Sequence, residues 1–545
     1  MKIDSIETIK SANRENISLQ ITNALKKLDG VRPVLARYID NAIITGKLES
    51  RISKAVELSQ RRGRTNPQSK TSDKAGAYFL NEDVYGPVYA LTRSDEELER
   101  ISLGPGVSLI EPPSMYGELL LMGQNMPSLA VNYTAEAGTP FTMKAMKQMM
   151  DARIDLVGNY FPESGVYLTQ GATEAIDLFM EMLSQQQPGS NVVFLGPSYY
   201  TGPFAAAQKR LSSSRVLPKN FRTSEQTKFF PTAEDIEAAL TPNTKALALT
   251  TPNNPNGETY SDIDLRKILS LAKKKDLLIL YDSIFENMYF DDSKNYQSRL
   301  LQIAAEIGAL DQVIVVDSLS KTQNIPGARI GFLATTNQNL RETLDNIIVA
   351  RRCNPPLVEQ PLIQFESLAR RIKTALLKNP QQSIDSLINF YMEQDTYSFS
   401  QSKFKSMYME WDDWNISVKT YYQANLELVR GVLKKITAAG SPTEAAFNTF
   451  VKLSGIPEGT NSNDFLAKLM FTLATYTQNG ACFGLPQEQW DTYLGLWIRI
   501  SYASNREDLI EGLLRLIVFT EKYISLDLGN PEKYPVLNIQ YNNQT

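Results

Sequence analysis

Apolar residues recur at three- and four-residue spacing through the first hundred positions, around Ile21, Leu25 and Leu28 and again at Leu35, Ile39 and Ile43, which predicts a helical amino-terminal extension over residues 1–100. Residues 101–135 lose that period. Leu103-Gly-Pro-Gly106 and Glu111-Pro-Pro113 read as an irregular strap that contributes to a smaller domain and to a site. From 136 to 355 the texture alternates. Short, mostly apolar runs at 165–169, 191–195, 245–250, 277–281, 312–316 and 330–334 are separated by helical stretches. One stretch opens at Gly171 and carries Ile176, Phe179, Met180 and Leu183 on one face, and another is capped by Ser261-Asp-Ile-Asp264. This alternation predicts an α/β domain with a mostly parallel central sheet and helices on both faces. Residues 356–530 read as a smaller α+β domain, with strands at 450–453 and 497–501, a helix at 426–436 and a helical insertion at about 365–420. Trp411 and Trp414 in that insertion are expected to pack rather than to recognise a ligand. The tail, 531–545, is expected to be extended and ordered by docking.

Composition narrows the chemistry. The 545 residues include no histidine, so Ser-His-Asp and Cys-His catalysis and histidine-ligated metal sites are excluded, and acid–base work falls to Lys, Tyr, Asp, Glu or a cofactor. Two cysteines, Cys353 and Cys482, cannot make a disulfide framework or a thiolate zinc site, and no metal is expected. A reducing cytoplasm fits best; the amino terminus lacks the apolar core of a secretion signal, and no apolar run reaches membrane-spanning length. The net charge of −4 selects no partner. Residues 1–80 carry 15 lysines and arginines against 8 acidic residues, a surplus that fits a solvated helical face or a subunit contact better than nucleic acid.

The candidate chemistry collects where strands are predicted to end. In Ser318-Leu-Ser-Lys321-Thr-Gln-Asn-Ile-Pro-Gly-Ala-Arg329, a lysine follows a buried strand between small hydroxyls and an arginine, which suits a Schiff-base lysine beside a phosphate held by Ser318 and Arg329. Gly171-Ala172-Thr173 opens a helix whose free N–H groups can receive an anion. Asn253-Asn-Pro-Asn-Gly257 and Asp282 follow strands of the same sheet, at the edge where ligands gather. Taken singly, a strand-terminal aspartate is as often a helix cap and a tyrosine such as Tyr199 as often core. Their common edge carries the reading.

From about residue 100 to 520 these features resemble the class I/II aminotransferases, of the fold type I pyridoxal-phosphate enzymes. The resemblance rests on Ser318-Leu-Ser-Lys321 and Pro326-Gly-Ala-Arg329 placed after Asn254-Pro-Asn-Gly257 and Asp282. It implies pyridoxal 5'-phosphate bound as a Schiff base to Lys321, which then shuttles a proton at the substrate Cα. It implies Asp282 at the pyridine nitrogen, Asn254 at the ring oxygen and beside the substrate, Tyr199 stacked on the ring, and Ala172, Thr173, Ser318, Ser320 and Arg329 around the phosphate. Tyr133 would complete the phosphate site of a neighbouring subunit, which implies a homodimer or higher homo-oligomer. Arg499, in Ile498-Arg-Ile-Ser501, would clamp the substrate α-carboxylate with Gly106 beside it. The implied activity moves an amino group between an amino acid and a 2-oxo acid.

Two departures from the family pattern stand out: Asn256 replaces a threonine, and Phe285 stands where many members place a tyrosine that bonds the ring oxygen. Phe285 and the insertion leave open a decarboxylase or lyase, since these reactions share the bound cofactor and differ in which Cα bond breaks. A cofactor-sensing transcription regulator is a further alternative. For it, the segment Tyr38-Ile-Asp-Asn-Ala-Ile-Ile-Thr-Gly-Lys-Leu48 resembles the start of a winged helix, without the expected continuation. Arg351 and Arg352 are near where family members for acidic substrates carry a side-chain reader, and neither aligns with it.

Overall fold

The structure is a computed structural model and describes residues 4–65, 84–104, 106–125, 137–218, 229–351, 359–484 and 487–537. The first strand, β1 (Ile101–Ser102), belongs to the strap. The large sheet follows, with β2 (Val166–Gln170), β3 (Asn191–Leu195), β4 (Ser212–Val216), β5 (Thr244–Thr250), β6 (Leu278–Asp282), β7 (Val313–Ser318) and β8 (Ile330–Thr335) in the spatial order β2-β8-β7-β6-β5-β3-β4. Neighbours from β7 through to β4 are parallel, and β8 runs antiparallel to both β7 and β2. The carboxyl ends of β5, β6 and β7 therefore open on one edge. Val313-Ile-Val-Val316 is wholly buried, which is why this run of β-branched residues forms a central strand. β4 is one of the two outer strands. Its Ser212-Ser-Ser-Arg-Val216 is too polar to announce a strand, and at a sheet edge it does not need to be apolar.

The smaller sheet comprises β9 (Thr437–Gly440), β10 (Asn448–Leu453), β12 (Gln478–Asn479) and β13 (Trp497–Ser501), antiparallel in the order β12-β13-β10-β9. Between them in sequence lies β11 (Thr475–Tyr476), which pairs with β1 in parallel and so ties the strap to the smaller sheet. The helix Ile17–Ile44 packs on the helices Gln401–Leu433, Ser462–Leu473 and Arg506–Leu526, burying Leu28, Leu35 and Ile39. The segment likened to a winged helix spans the end of that helix and the start of Lys47–Thr65, with Ile39, Ala42 and Leu48 buried.

One expectation changes. The helix Gln360–Lys378 lies along Pro140–Ala152, and its Leu362, Phe365, Leu368 and Ile372 join the core of the large sheet together with Phe404, Tyr408 and Trp411. Residues 360–411 thus pack with the α/β domain, whereas the linear reading assigned them to the smaller one. From Trp414 onward, the helix Gln401–Leu433 enters the smaller core. In the tail, Leu537 is buried and its N–H donates to Asp464 Oδ1 at 2.8 Å.

Candidate active site

Lys321 stands in a four-residue helix, Leu319–Thr322, that begins directly at the end of β7. Ser318 is its N-cap. The hydroxyl accepts from Ser320 N at 3.1 Å, donates to Ile330 O at 2.8 Å and lies 2.7 Å from Ser320 Oγ. Ser318 is fully buried, so it positions Ser320 and the lysine turn from beneath. Lys321 Nζ donates to the carbonyl of Gly106 at 2.6 Å, which brings the strap over the lysine. Burial pulls its amine down to about 8; Arg499 and Arg329 add to the effect and Asp282 opposes it.

Asp282 ends β6 beside β7 and accepts from Ile284 N at 3.2 Å. Burial pushes its carboxyl up to about 7, against the Ile284 N–H; Asp317 raises it further, while Lys321 lowers it. Beside it lies a cavity of about 30 Å³ lined by Ser198, Tyr199 and Thr250 with apolar Phe194, Ala248 and Leu280. The Tyr199 ring is tilted against that of Tyr200 at 4.5 Å, and their hydroxyls are 3.2 Å apart.

Arg329 follows in a left-handed turn (φ 58) and donates to Pro326 O at 3.0 Å and Gln170 O at 2.9 Å, so its guanidinium covers Gly171. Gly171 has φ 79, and a Cβ there would lie 2.7 Å from Arg329 Nη2; a Cβ on Gly331 would lie 2.5 Å from the Gly171 backbone. These glycines let the start of the helix Ala172–Gln186 come against the arginine. Ala172 is buried and Thr173 exposed at that helix start.

Across from this edge, the buried Arg499 of β13 donates through Nη1 to Asn254 Oδ1 at 2.8 Å and through Nη2 to Gly104 O. Its guanidinium lies over the Phe483 ring, 5.1 Å from the centroid. Gly106 is adjacent: a Cβ on it would meet Arg499 Nη1 at 3.5 Å. The structure thus gathers Lys321, Asp282, Asn254, Arg499 and Gly106 at one place, with Arg329, Ser320 and Ala172 along the same edge. Tyr133 and Arg352 lie outside the described residues, as does the side chain of Arg351. The Phe285 ring is buried edge-on against Phe447 at 5.6 Å, in the smaller domain's core.

Sequence reasoning missed Gly104, whose carbonyl holds Arg499, and the trio Ser108, Asn324 and Tyr422. Asn324 Nδ2 and the Tyr422 hydroxyl donate to Ser108 Oγ at 2.8 and 2.7 Å and pin the strap to the lysine loop. The glycines of Leu103-Gly-Pro-Gly106 were the available signal for the first. Among the described residues no group of histidine, cysteine and acidic side chains is arranged to hold a metal ion, and no helix is long and apolar enough to cross a membrane.

Comparison with known proteins bears on the family and the fold. The family described as Aminotransferase class I and II matches residues 133–390. The chain is similar to the putative aminotransferase YugH of Bacillus subtilis, at 26% identity over 72% of this chain and 84% of that protein. It is also similar to the alanine aminotransferase of Mycobacterium tuberculosis, at 32% over 34% of this chain and 40% of that one. Among solved structures, the N-succinyldiaminopimelate aminotransferase of Mycobacterium tuberculosis superposes with a TM-score of 0.61 at 18% identity, over 83% of this chain and 99% of that one. The aspartate aminotransferase of Thermotoga maritima gives 0.58 at 20% identity, over 81% and 96%. The chain thus matches the class I and II aminotransferase family over residues 133–390 and shares the fold of solved aminotransferases, that of fold type I.

Proposed function

We propose that this enzyme binds pyridoxal 5'-phosphate on Lys321 and uses it to move an amino group between an amino acid and a 2-oxo acid. The observation that carries the reading is the meeting of Lys321, Asp282 and the Arg499–Asn254 pair, drawn from both sheets, around one strand edge. The residues fit the group: a buried carboxyl, a lysine with a lowered proton affinity, and a glycine cradle beneath an arginine at a helix start. When bound, the cofactor supplies an electron sink that stabilises negative charge at the substrate Cα.

The chain's own residues do the rest. Asp282 would face the ring nitrogen, where a cationic partner offsets the cost of its burial and keeps it ionised. Asn254 would orient the ring oxygen and Tyr199 would cover one ring face. Ser320, Arg329 and the helix N–H groups at Ala172 and Thr173 would hold the phosphate, with Ser318 as the cap beneath them. Lys321 Nζ, whose proton affinity burial lowers, would take the proton from Cα and return it to the cofactor carbon bonded to the substrate nitrogen. Arg499 would grip the α-carboxylate. Gly104 O and Gly106 O now bond Arg499 and Lys321, so the strap would shift as substrate enters. Tyr133 would serve a second copy of the chain in a homodimer, and a cytoplasmic location is part of the same reading.

The test loads the protein with pyridoxal 5'-phosphate, adds a panel of amino acids and analyses products. Pyridoxamine phosphate with the matching 2-oxo acid is the expected outcome. Carbon dioxide, or ammonia with pyruvate, as the main product of every amino acid would overturn amino transfer.

A further inference from the structure

Beneath the strand edge lies a group of buried charges with no part in the scheme above. Arg153, at the end of the helix Pro140–Ala152 and 4% exposed, places Nη2 on Glu286 and Nη1 3.3 Å from Asp317 Oδ2. Glu286 lies four residues after Asp282, and its other oxygen accepts from the Tyr281 hydroxyl at 2.6 Å. Asp317 is the residue before Ser318. One guanidinium therefore bridges the two segments that carry Asp282 and Lys321. Arg370 Nη1 lies 4.0 Å from the same Asp317 oxygen, and its Nε binds Glu366 at 2.9 Å.

Buried ion pairs are a weak source of net stability, since well-packed apolar residues of like volume often do as well or better. A planar fork with fixed geometry is suited to setting a distance between two carboxylates. The Asp317 carboxylate accepts from Ser318 N at 2.7 Å, and the Glu286 residue is fixed by its own N–H, which donates to Ser283 O at 2.8 Å, and by the Tyr281 hydroxyl on its carboxylate. A shift of either acid is therefore a shift of the loop that follows β7 or β6.

We propose that Arg153 is a positioning residue: by clamping Glu286 and Asp317 it fixes the spacing and orientation of Asp282 and Lys321 for amino transfer. This rests on the site reading given above. Arg153 touches neither substrate nor cofactor and acts through the two acids.

The test compares charge-balanced pairs in the cofactor-loaded enzyme. Arg153→Met with Glu286→Gln removes the clamp without leaving an extra buried charge, and kcat should fall at least about tenfold with KM within about twofold, as expected of reacting groups displaced by a fraction of an ångström. Lys468→Met with Asp464→Asn removes an equally buried pair, 2.8 Å apart in the smaller domain, and should lower the melting temperature while keeping kcat. Arg153→Met alone leaves excess negative charge near the site and should raise the midpoint of the bound cofactor's absorbance titration by about one pH unit. Arg153→Lys, which keeps the charge, should restore that midpoint but not kcat. Wild-type kcat in the clamp-free pair, or equal losses in both pairs, overturns the proposal. A separate failure is visible beforehand: if borohydride reduction of the wild-type enzyme leaves the cofactor on a peptide other than that of Lys321, the site reading itself is wrong.

Discussion

Lys468 and Lys321 each stand on a helix among buried neighbours, yet their surroundings differ in kind. Lys468, with a side chain 0% exposed, has Asp464 Oδ2 at 2.8 Å and the carbonyl of Leu528 at 2.6 Å. Lys321 has the carbonyl of Gly106 at 2.6 Å, two arginines that add positive potential, and Asp282 as its favourable charge. At Lys321 burial lowers the amine's proton affinity first and the two arginines add to it, whereas Lys468 has a carboxylate in direct contact. The two lysines are thus told apart by what stands beside them: a contact carboxylate at one, a carbonyl and two arginines at the other.

The comparison breaks first at Lys321. Lys321→Ala should reduce amino transfer by about 10³-fold or more, near 4 kcal/mol of barrier, while the protein still takes up cofactor without a covalent link. Turnover at the wild-type rate would end the central assignment. Lys468→Met should instead leave turnover at 25 °C intact and destabilise the fold by about 3–5 kcal/mol, because Asp464 would stay buried without its cation. Denaturant melts measure this, and a loss below about 1 kcal/mol would make that pair ornamental.

A subtler contrast concerns Asp282. Its folded carboxyl, at about 7, binds a proton more tightly than the unfolded one at 3.8. That contribution to stability is fully present below about pH 4 and is lost as pH rises through 7. In the cofactor-free protein, Asp282→Asn should therefore raise the melting temperature at pH 8 relative to wild type, with the advantage shrinking toward pH 4. A difference independent of pH would show that Asp282 already has a cationic partner. The smallest effect is expected from Phe285→Tyr: a hydroxyl that reaches the ring oxygen lowers the midpoint of the cofactor's absorbance titration. An unchanged midpoint assigns Phe285 to its contact with Phe447 alone.

The site was legible in proportion to how local it is. Asp282, Ser318, Ser320, Lys321 and Arg329 each lie within a few residues of an apolar run, so the strand pattern and the parallel sheet it implies place them at one edge. Arg499 was reached only through a resemblance, and its contacts come from residues 245 and 395 positions away. Arg153 is 133 and 164 residues from its acids, and nothing in the pattern around it distinguishes it from a helix-terminal surface arginine. The helices at 360–411 were misassigned for the same reason. Periodicity reports which face of a helix is apolar, not which of two cores receives it.

The helix Gln401–Leu433, with 33 residues, runs about 50 Å. Phe404, Met407, Tyr408 and Trp411 are set in one core and Trp414, Val418, Tyr421 and Tyr422 in the other, with no break between them. It is a beam built into two walls. A sharp break at that point would cost part of a continuous ladder of backbone hydrogen bonds, so the halves of the molecule should melt in a single transition.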